Sequence, residues 1–171
     1  MTDARAPAVG RPHVEAKVLV VSDGVVAGTR TDVAGPAVVA RLAEAGFAVV
    51  AHEVTEDGID EVMFALRELV TGFAGLVVTT GGTGFGPRDL TPEGTRRVID
   101  REAPGLAEAM RRASDSPGSP LGMLSRGVCG ATGAALVCNL PGSAGGAVEC
   151  LDVVLPALPH VLDLLAGGHP H

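Results

Sequence analysis

Residues 76–93 read Leu76-Val77-Val78-Thr79-Thr80-Gly81-Gly82-Thr83-Gly84-Phe85-Gly86-Pro87-Arg88-Asp89-Leu90-Thr91-Pro92-Glu93. An apolar run leads into a glycine-rich loop, then an acid, then a helix start. Leu76 to Val78 is a short run rich in β-branched residues, of the kind buried on both faces in a parallel sheet. Gly81, Gly82, Gly84 and Gly86 remove side chains where a backbone approaches a ligand closely or takes a positive φ. Thr91 is expected to cap a helix, with Pro92 at its first position and Glu93 in its first turn, where a carboxylate suits the helix dipole. Open α/β sheets bind ligands at the C-terminal ends of their strands. Asp89 therefore stands at the mouth of a candidate site, among amides that could hold phosphate.

The rest of the chain supplies a matching frame. Ala16 to Ser22 is a first, nearly continuous apolar strand, and Asp23 to Thr31 a loop. Gly35 to Ala45 carries Val38, Val39 and Leu42 at helical spacing, with Gly46 as the stop. Phe47 to Val54 is a second strand. Ile59, Val62, Met63, Leu66 and Val70 then repeat as one face of a helix. Beyond the glycine loop, Pro92 to Glu102 and Pro104 to Ala113 read as helical, and Ser114 to Pro120 as a loop. Ala134 to Leu140 is a further strand and Pro141-Gly142-Ser143 a turn. A helical segment from Gly146 to Leu165 is split or kinked at Pro156 and Pro159. Strands alternating with helices predict an α/β fold with a mostly parallel central sheet. Right-handed crossovers gather the loops after successive strands on one edge. The expected organisation is a disordered tail over 1–13, one domain over 14–166 and a short tail over 167–171.

Composition narrows the function classes. Four Phe and no Trp or Tyr argue against stacking on nucleic-acid bases, and a net charge of −7 argues against binding a phosphate backbone. A small phosphorylated ligand is still compatible, because local amides can overcome the global field. Cys129, Cys138 and Cys150 are an odd set without C-x-x-C and read as small buried hydrophobes in a reducing cytosol. The N-terminal residues lack the apolar core of a secretory signal, and no run is long enough to span a bilayer. The expected location is the cytoplasm, away from membranes.

The glycine loop is not a P-loop, since Pro87-Arg88 stands where Gly-Lys-Ser/Thr is needed. It is not a dinucleotide fingerprint either, because the spacing differs and it follows the third strand instead of the first. Four glycines in residues 81–86, followed by a basic residue and an acid, favour a ligand-binding loop over a bare turn. Ser22-Asp23-Gly24 is either an Asx-type turn or a second wall of the same site. At Glu56-Asp57, Asp57 either caps the next helix or brings a second carboxylate towards Asp89. Two carboxylates beside a phosphate loop would suit Mg²⁺, which takes oxygen ligands and few of them from protein. A lone Ser125 is more often a surface hydroxyl than a nucleophile, and His169 and His171 lie in the tail.

Taken together, these motifs resemble the molybdopterin-binding family that includes bacterial Mog/MoaB-like proteins and the G domain of gephyrin. The carrying residues are Val21-Ser22-Asp23, Asp32 with Gly35-Pro36, Thr80 to Gly84, Arg88 to Glu93, Leu124-Ser125-Arg126 and Asn139 to Ser143. They occur in the family's order and span about residues 16–165. The resemblance implies a three-layer α/β/α domain, commonly a homotrimer. It implies an adenylyltransferase that uses ATP and Mg²⁺ to convert molybdopterin into adenylyl-molybdopterin and pyrophosphate, with a molybdenum insertase as partner. On this resemblance Asp89 is the essential acid for Mg²⁺ and ATP positioning. Asp57, or its neighbour Glu56, is the second acid, with Asp57 favoured and also assigned to the metal. Ser22, Asp23, Gly81, Gly82, Thr83, Gly84, Arg88 and Thr91 are expected to contact ligand. Ser125 is expected on pterin or phosphate, and Pro141, Gly142 and Ser143 on the far wall. The chain departs from the family where Thr55-Glu56-Asp57 lacks a proline and where Gly127 follows Arg126. The alternative function is a non-catalytic molybdopterin-binding or scaffold paralogue. An insertase would need further domains, and an unrelated nucleotide-binding module would show no pterin preference.

Overall fold

The apolar runs at 16–22, 76–80 and 134–140 lie side by side because each is buried on both faces. In a computed structural model describing residues 14–115 and 120–168, they are β1 (Glu15–Val21), β3 (Gly75–Thr80) and β6 (Ala135–Leu140). Val18 pairs with Val78, and Val78 with Cys138, all in parallel register. The second strand, β2 (Ala48–Thr55), adds to the outer side of β1, also parallel, and is much more exposed, as an edge strand is. The expected N-terminal tail, the centre of the Ser114–Pro120 loop and residues 169–171 lie outside the described residues.

Helices cover both faces of this sheet, which makes the three-layer α/β/α architecture. One face carries α2 (Ala34–Glu44), α5 (Pro104–Ala113), α6 (Ala144–Val154) and α7 (Leu158–Leu165), packed through Val38, Leu42, Met110, Leu151, Val154 and Leu158 onto Val18, Val78 and Cys138. The other carries α3 (Ile59–Val70), whose Val62, Leu66 and Leu69 meet Leu19, Val21, Val77 and Val137. The 3.6-residue period of these helices therefore meets the apolar inward faces of the strands. Gly46 ends α2 as expected, with a φ of 91° and its N–H on the Ala43 carbonyl. The split near Pro156 is also as expected, and all three cysteines are free and buried.

Among the described residues the sheet has six strands in the order β2-β1-β3-β6-β5-β4, and its last two members are not apparent in the sequence. β5 (Cys129–Thr132) runs antiparallel to β6, and β4 (Arg101–Glu102) antiparallel to β5. The helix expected over Pro92–Glu102 is correspondingly shorter, α4 (Thr91–Arg96). Past it, Val98 and Ile99 pack into the second core and Asp100 donates its N–H to Ala131. Burial of those side chains and pairing with β5 override the local helical tendency. Gly130 permits this pairing, because a Cβ there would lie 2.6 Å from both the Arg101 carbonyl and Ile99. Two more expectations are corrected. Asp23 starts a short helix, α1 (Asp23–Val26), inside the stretch expected as loop. Thr91 is the first residue of α4 and not its cap, which is Leu90. Its hydroxyl donates instead to the buried Gly81 carbonyl at 2.9 Å, a partner that carbonyl would otherwise lack.

Candidate functional site

The C-terminal ends of β1, β3 and β6 open onto a cleft of about 690 Å³. The glycine loop forms its floor. Gly81 and Gly82 have φ values of 106° and 65°, in the region that side chains disfavour. Both are also crowded: a Cβ would lie 2.3 Å from the Val21 carbonyl at Gly81, and 2.2 Å from the Thr91 hydroxyl at Gly82. Among the described residues, the N–H groups of Gly82, Thr83, Gly84 and Phe85 find no acceptor within the protein. Successive amides left free in one loop are a ready seat for an anion.

Three chain segments meet at one side of the cleft. Ser22 caps α1, accepting from the Val25 N–H at 3.3 Å, and lines the cleft. The Asp23 N–H donates to the Asp57 carboxylate at 2.8 Å, and the Asp57 N–H returns to the Asp23 carboxylate at 3.1 Å. Arg88 closes the cluster with Nε and Nη2 on the Asp23 carboxylate, at 2.5 and 3.1 Å, and Nη2 also on the Asp57 carbonyl. Of the Ser22-Asp23 pair, Ser22 both makes the local turn and borders the cleft, while Asp23 lies outside the lining. Asp57 does not cap α3, whose cap is Gly58, and it borders the cleft. Glu56 is exposed and stands outside the cleft lining.

The electrostatics divide these acids. The hydrogen bond from Arg88 holds the Asp23 carboxyl below the ordinary aspartate range. Burial pushes the Asp57 carboxyl up, and the negative charges of Asp23 and Asp89 push it further. Asp57 and Asp89 both line the cleft, and Asp89 Oδ2 also accepts the Gly86 N–H at 2.8 Å. No cluster of three or more metal-type side chains occurs among the described residues.

Gly81, Gly82, Thr83, Gly84, Gly142 and Ser143 all line the cleft. Asp23, Arg88 and Thr91 are not among the lining residues, but each hydrogen-bonds to one that is: Asp23 and Arg88 to Asp57, Thr91 to Gly81. Ser125 and Pro141 face a second, smaller cavity of about 290 Å³, and Ser143 borders both. Arg30 to Ala34 supply a wall that the sequence reading did not assign to the site. Its signal was available in Asp32, three residues before Gly35: the Asp32 carboxylate accepts the Gly35 N–H at 2.8 Å and meets His52 Nε2 at 3.1 Å. Behind the floor, buried Asn139 donates to the Thr79 and Thr95 hydroxyls at 3.0 and 2.9 Å and accepts the Val128 N–H at 3.1 Å. No helix among the described residues is long and apolar enough to cross a membrane.

Residues 17–160 match the family described as "Probable molybdopterin binding domain". The chain is 39% identical over 119 residues to a molybdopterin adenylyltransferase of Helicobacter pylori strain J99, covering 69% of this chain and 67% of that protein. It is 35% identical over 158 residues to a molybdenum cofactor biosynthesis bifunctional protein of Chlorobaculum tepidum. That match covers 92% of this chain but 50% of the relative, so the chain spans half of that protein's length. The structure of the molybdopterin biosynthesis enzyme MoaB from Thermus thermophilus superimposes with a TM-score of 0.83 at 44% identity, covering 90% of this chain and 97% of that one. The glycine loop, the acids around it and these matches agree: the chain belongs to the molybdopterin-binding Mog/MoaB family of molybdenum cofactor biosynthesis.

Proposed function

We propose that the protein is a molybdopterin adenylyltransferase. The observation that carries this reading is the pairing of free amides at Gly82 to Phe85 with two carboxylates, Asp57 and Asp89, in one cleft. Adenylyl transfer needs both. A terminal phosphate oxygen of molybdopterin forms a bond to the α-phosphorus of ATP while the bond from that phosphorus to the bridging oxygen breaks, and pyrophosphate leaves with the electron pair. The protein has little covalent chemistry to perform, so positioning and charge neutralisation dominate. In this reading the loop amides hold phosphate oxygens, and Ser22, Gly142 and Ser143 bound the nucleotide. Ser125 and Pro141, in the adjoining smaller cavity, hold the pterin end. Ser143 borders both cavities, which fits two substrates meeting there.

Mg²⁺ fits the donor set. It commonly takes one or two carboxylates and completes its shell with water and substrate phosphate. Asp57 and Asp89 are such a pair, and Asp57 already bears the electrostatic cost of its acidic neighbours. When bound, the ion would neutralise phosphate charge. Asp57 and Asp89 would orient it, and Arg88 would keep Asp23 from competing for it. The test is incubation with molybdopterin, ATP and Mg²⁺, with adenylyl-molybdopterin followed by mass, and Asp89→Asn alongside. Product from the wild type and none from the variant is the expected result. Bound molybdopterin without product from the wild type would shift the function to that of a binding or scaffold paralogue.

A further inference from the structure

We infer that Arg126, which lies outside the cleft, is the positioning residue for the Asp89 loop, clamping both ends of it through one guanidinium anchored on Glu93. Arg126 follows the short 3₁₀ turn Gly122–Leu124. Its backbone N–H donates to the Thr83 carbonyl at 2.9 Å. Its side chain then reaches along the back of the loop. Nε donates to the Gly84 carbonyl at 2.8 Å, where the loop leaves the floor, and Nη2 donates to the Asp89 carbonyl, where it re-enters α4. Nη1 donates to the Glu93 carboxylate, and Nη2 lies 3.4 Å from its second oxygen. The Phe85 ring sits over the guanidinium at 5.4 Å.

The planar fork makes this possible. Five donors fixed in one plane can span two carbonyls and a carboxylate, which an ammonium cannot do. The consequence for the cleft follows from the trans peptide, in which C=O and the next N–H point in opposite directions. Drawing the Thr83 and Gly84 carbonyls back onto Arg126 turns the N–H groups of Gly84 and Phe85 the other way. Those two amides are among the four that find no internal acceptor. Fixing the Asp89 carbonyl likewise fixes the backbone from which its carboxylate projects. Glu93 supplies the anchor. Burial raises its carboxyl, but the Arg126 hydrogen bond and charge, with Arg96, bring it below its ordinary value, so it is ionised opposite the guanidinium. Gly81 and Gly82 are held by close packing and Arg88 by Asp23 and Asp57, so the stretch that depends on Arg126 is the one from Gly84 to Gly86. Phe85 is 74% exposed, with its ring against the guanidinium.

The catalytic part of this inference rests on the adenylyl-transfer reading, and the structural part does not. The experiment compares wild type with Arg126→Gln, Arg126→Lys and Glu93→Gln by amide hydrogen exchange and by steady-state kinetics with ATP and molybdopterin. Loss of charge-assisted bonds at both loop ends should speed exchange at Gly86, Asp89 and Leu90, the loop amides that are hydrogen-bonded, by roughly tenfold or more in Arg126→Gln, with β3 and β6 unchanged. Misplacement of the loop should lower kcat by about tenfold or more, while KM for ATP moves much less, because the remaining cleft walls are untouched. Arg126→Lys should recover part of kcat by keeping the charge against Glu93. Glu93→Gln, nearly isosteric, should show the same pattern in weaker form, and it carries the test if Arg126→Gln does not fold. Unchanged loop exchange in a folded variant overturns the inference, as does uniform faster exchange through β3 and β6, which marks a merely structural arginine. If the wild type makes no product while the loop still loosens as expected, the positioning role stands and the adenylyltransferase reading falls.

Discussion

Gly82→Ala isolates the close packing behind the glycine loop. The new Cβ has two separate effects. Gly82 sits at a φ of 65°, where a non-glycine residue costs about 1–2 kcal/mol. The Cβ would also stand 2.2 Å from the Thr91 hydroxyl, which has to move off the Gly81 carbonyl. Among the described residues that carbonyl has no other donor, so losing the buried bond costs about 1–3 kcal/mol. The sum is about 2–5 kcal/mol. For a chain of 171 residues this lowers Tm by roughly 10 °C at the middle of that range. Gly133→Ala is the matched control, because its φ is 54° and a Cβ there meets nothing within 4 Å. It should lose only the conformational part, about 1–2 kcal/mol. Urea or thermal unfolding of both variants reads the difference directly. Equal losses at the two glycines would refute the argument that Gly82 is required by close approach as well as by its dihedral angle.

Other outcomes follow from the same geometry. Asp57→Asn keeps an oxygen for the Asp23 N–H and removes a charge that burial, Asp23 and Asp89 disfavour. A carboxyl whose folded-state pKa is raised binds more protons folded than unfolded, so its contribution to stability falls as pH rises from the ordinary aspartate value through the raised one. The variant should therefore have a higher Tm than wild type near neutral pH, with the gap closing below the ordinary aspartate range; a constant gap in a pH series of melts would contradict this. Asn139→Ala strands the buried Val128 N–H and should cost about 2–4 kcal/mol by urea unfolding, since one side chain serves three partners. Asp89→Asn retains an acceptor for the Gly86 N–H, so its melting should match wild type closely while turnover is lost.

The parallel half of the fold was legible because burial wrote it into the sequence twice. The runs at 16–22, 76–80 and 134–140 are apolar on both faces, and the helices between them repeat at 3.6 residues, so either signal alone predicts crossovers. The antiparallel edge was not legible. Cys129-Gly130-Ala131-Thr132 contains neither a β-branched run nor alternation, and Arg101-Glu102 is too short to carry a pattern. Their pairing depends on Ile99 and the Arg101 carbonyl fitting over a glycine from a distant segment.

The candidate site divides in the same way. Glycine-rich loops and strand-end acids are local features, so Gly81 to Gly84, Asp89, Asp23 and the Glu56-Asp57 pair stand out in the sequence as candidates. Which role each plays was decided by what meets it. Thr91 has a good capping residue's chemistry, but the nearer demand was the Gly81 carbonyl. Asp57 could cap a helix, but the Asp23 amide reached it first. Ser125 and Pro141 follow the motif order of the site yet border a different cavity. Arg126 carried no signal of its own as a clamp, because the carbonyls it holds belong to residues 83, 84 and 89. By itself the sequence determined the strand and helix periodicities, the position of the glycine loop and the acids that edge it, since these rest on side-chain type and near-neighbour spacing. The tertiary structure alone decided the partners of those acids, the charge balance between Asp23 and Asp57 and the direction of the loop amides, since each depends on hydrogen bonds between segments far apart in the chain.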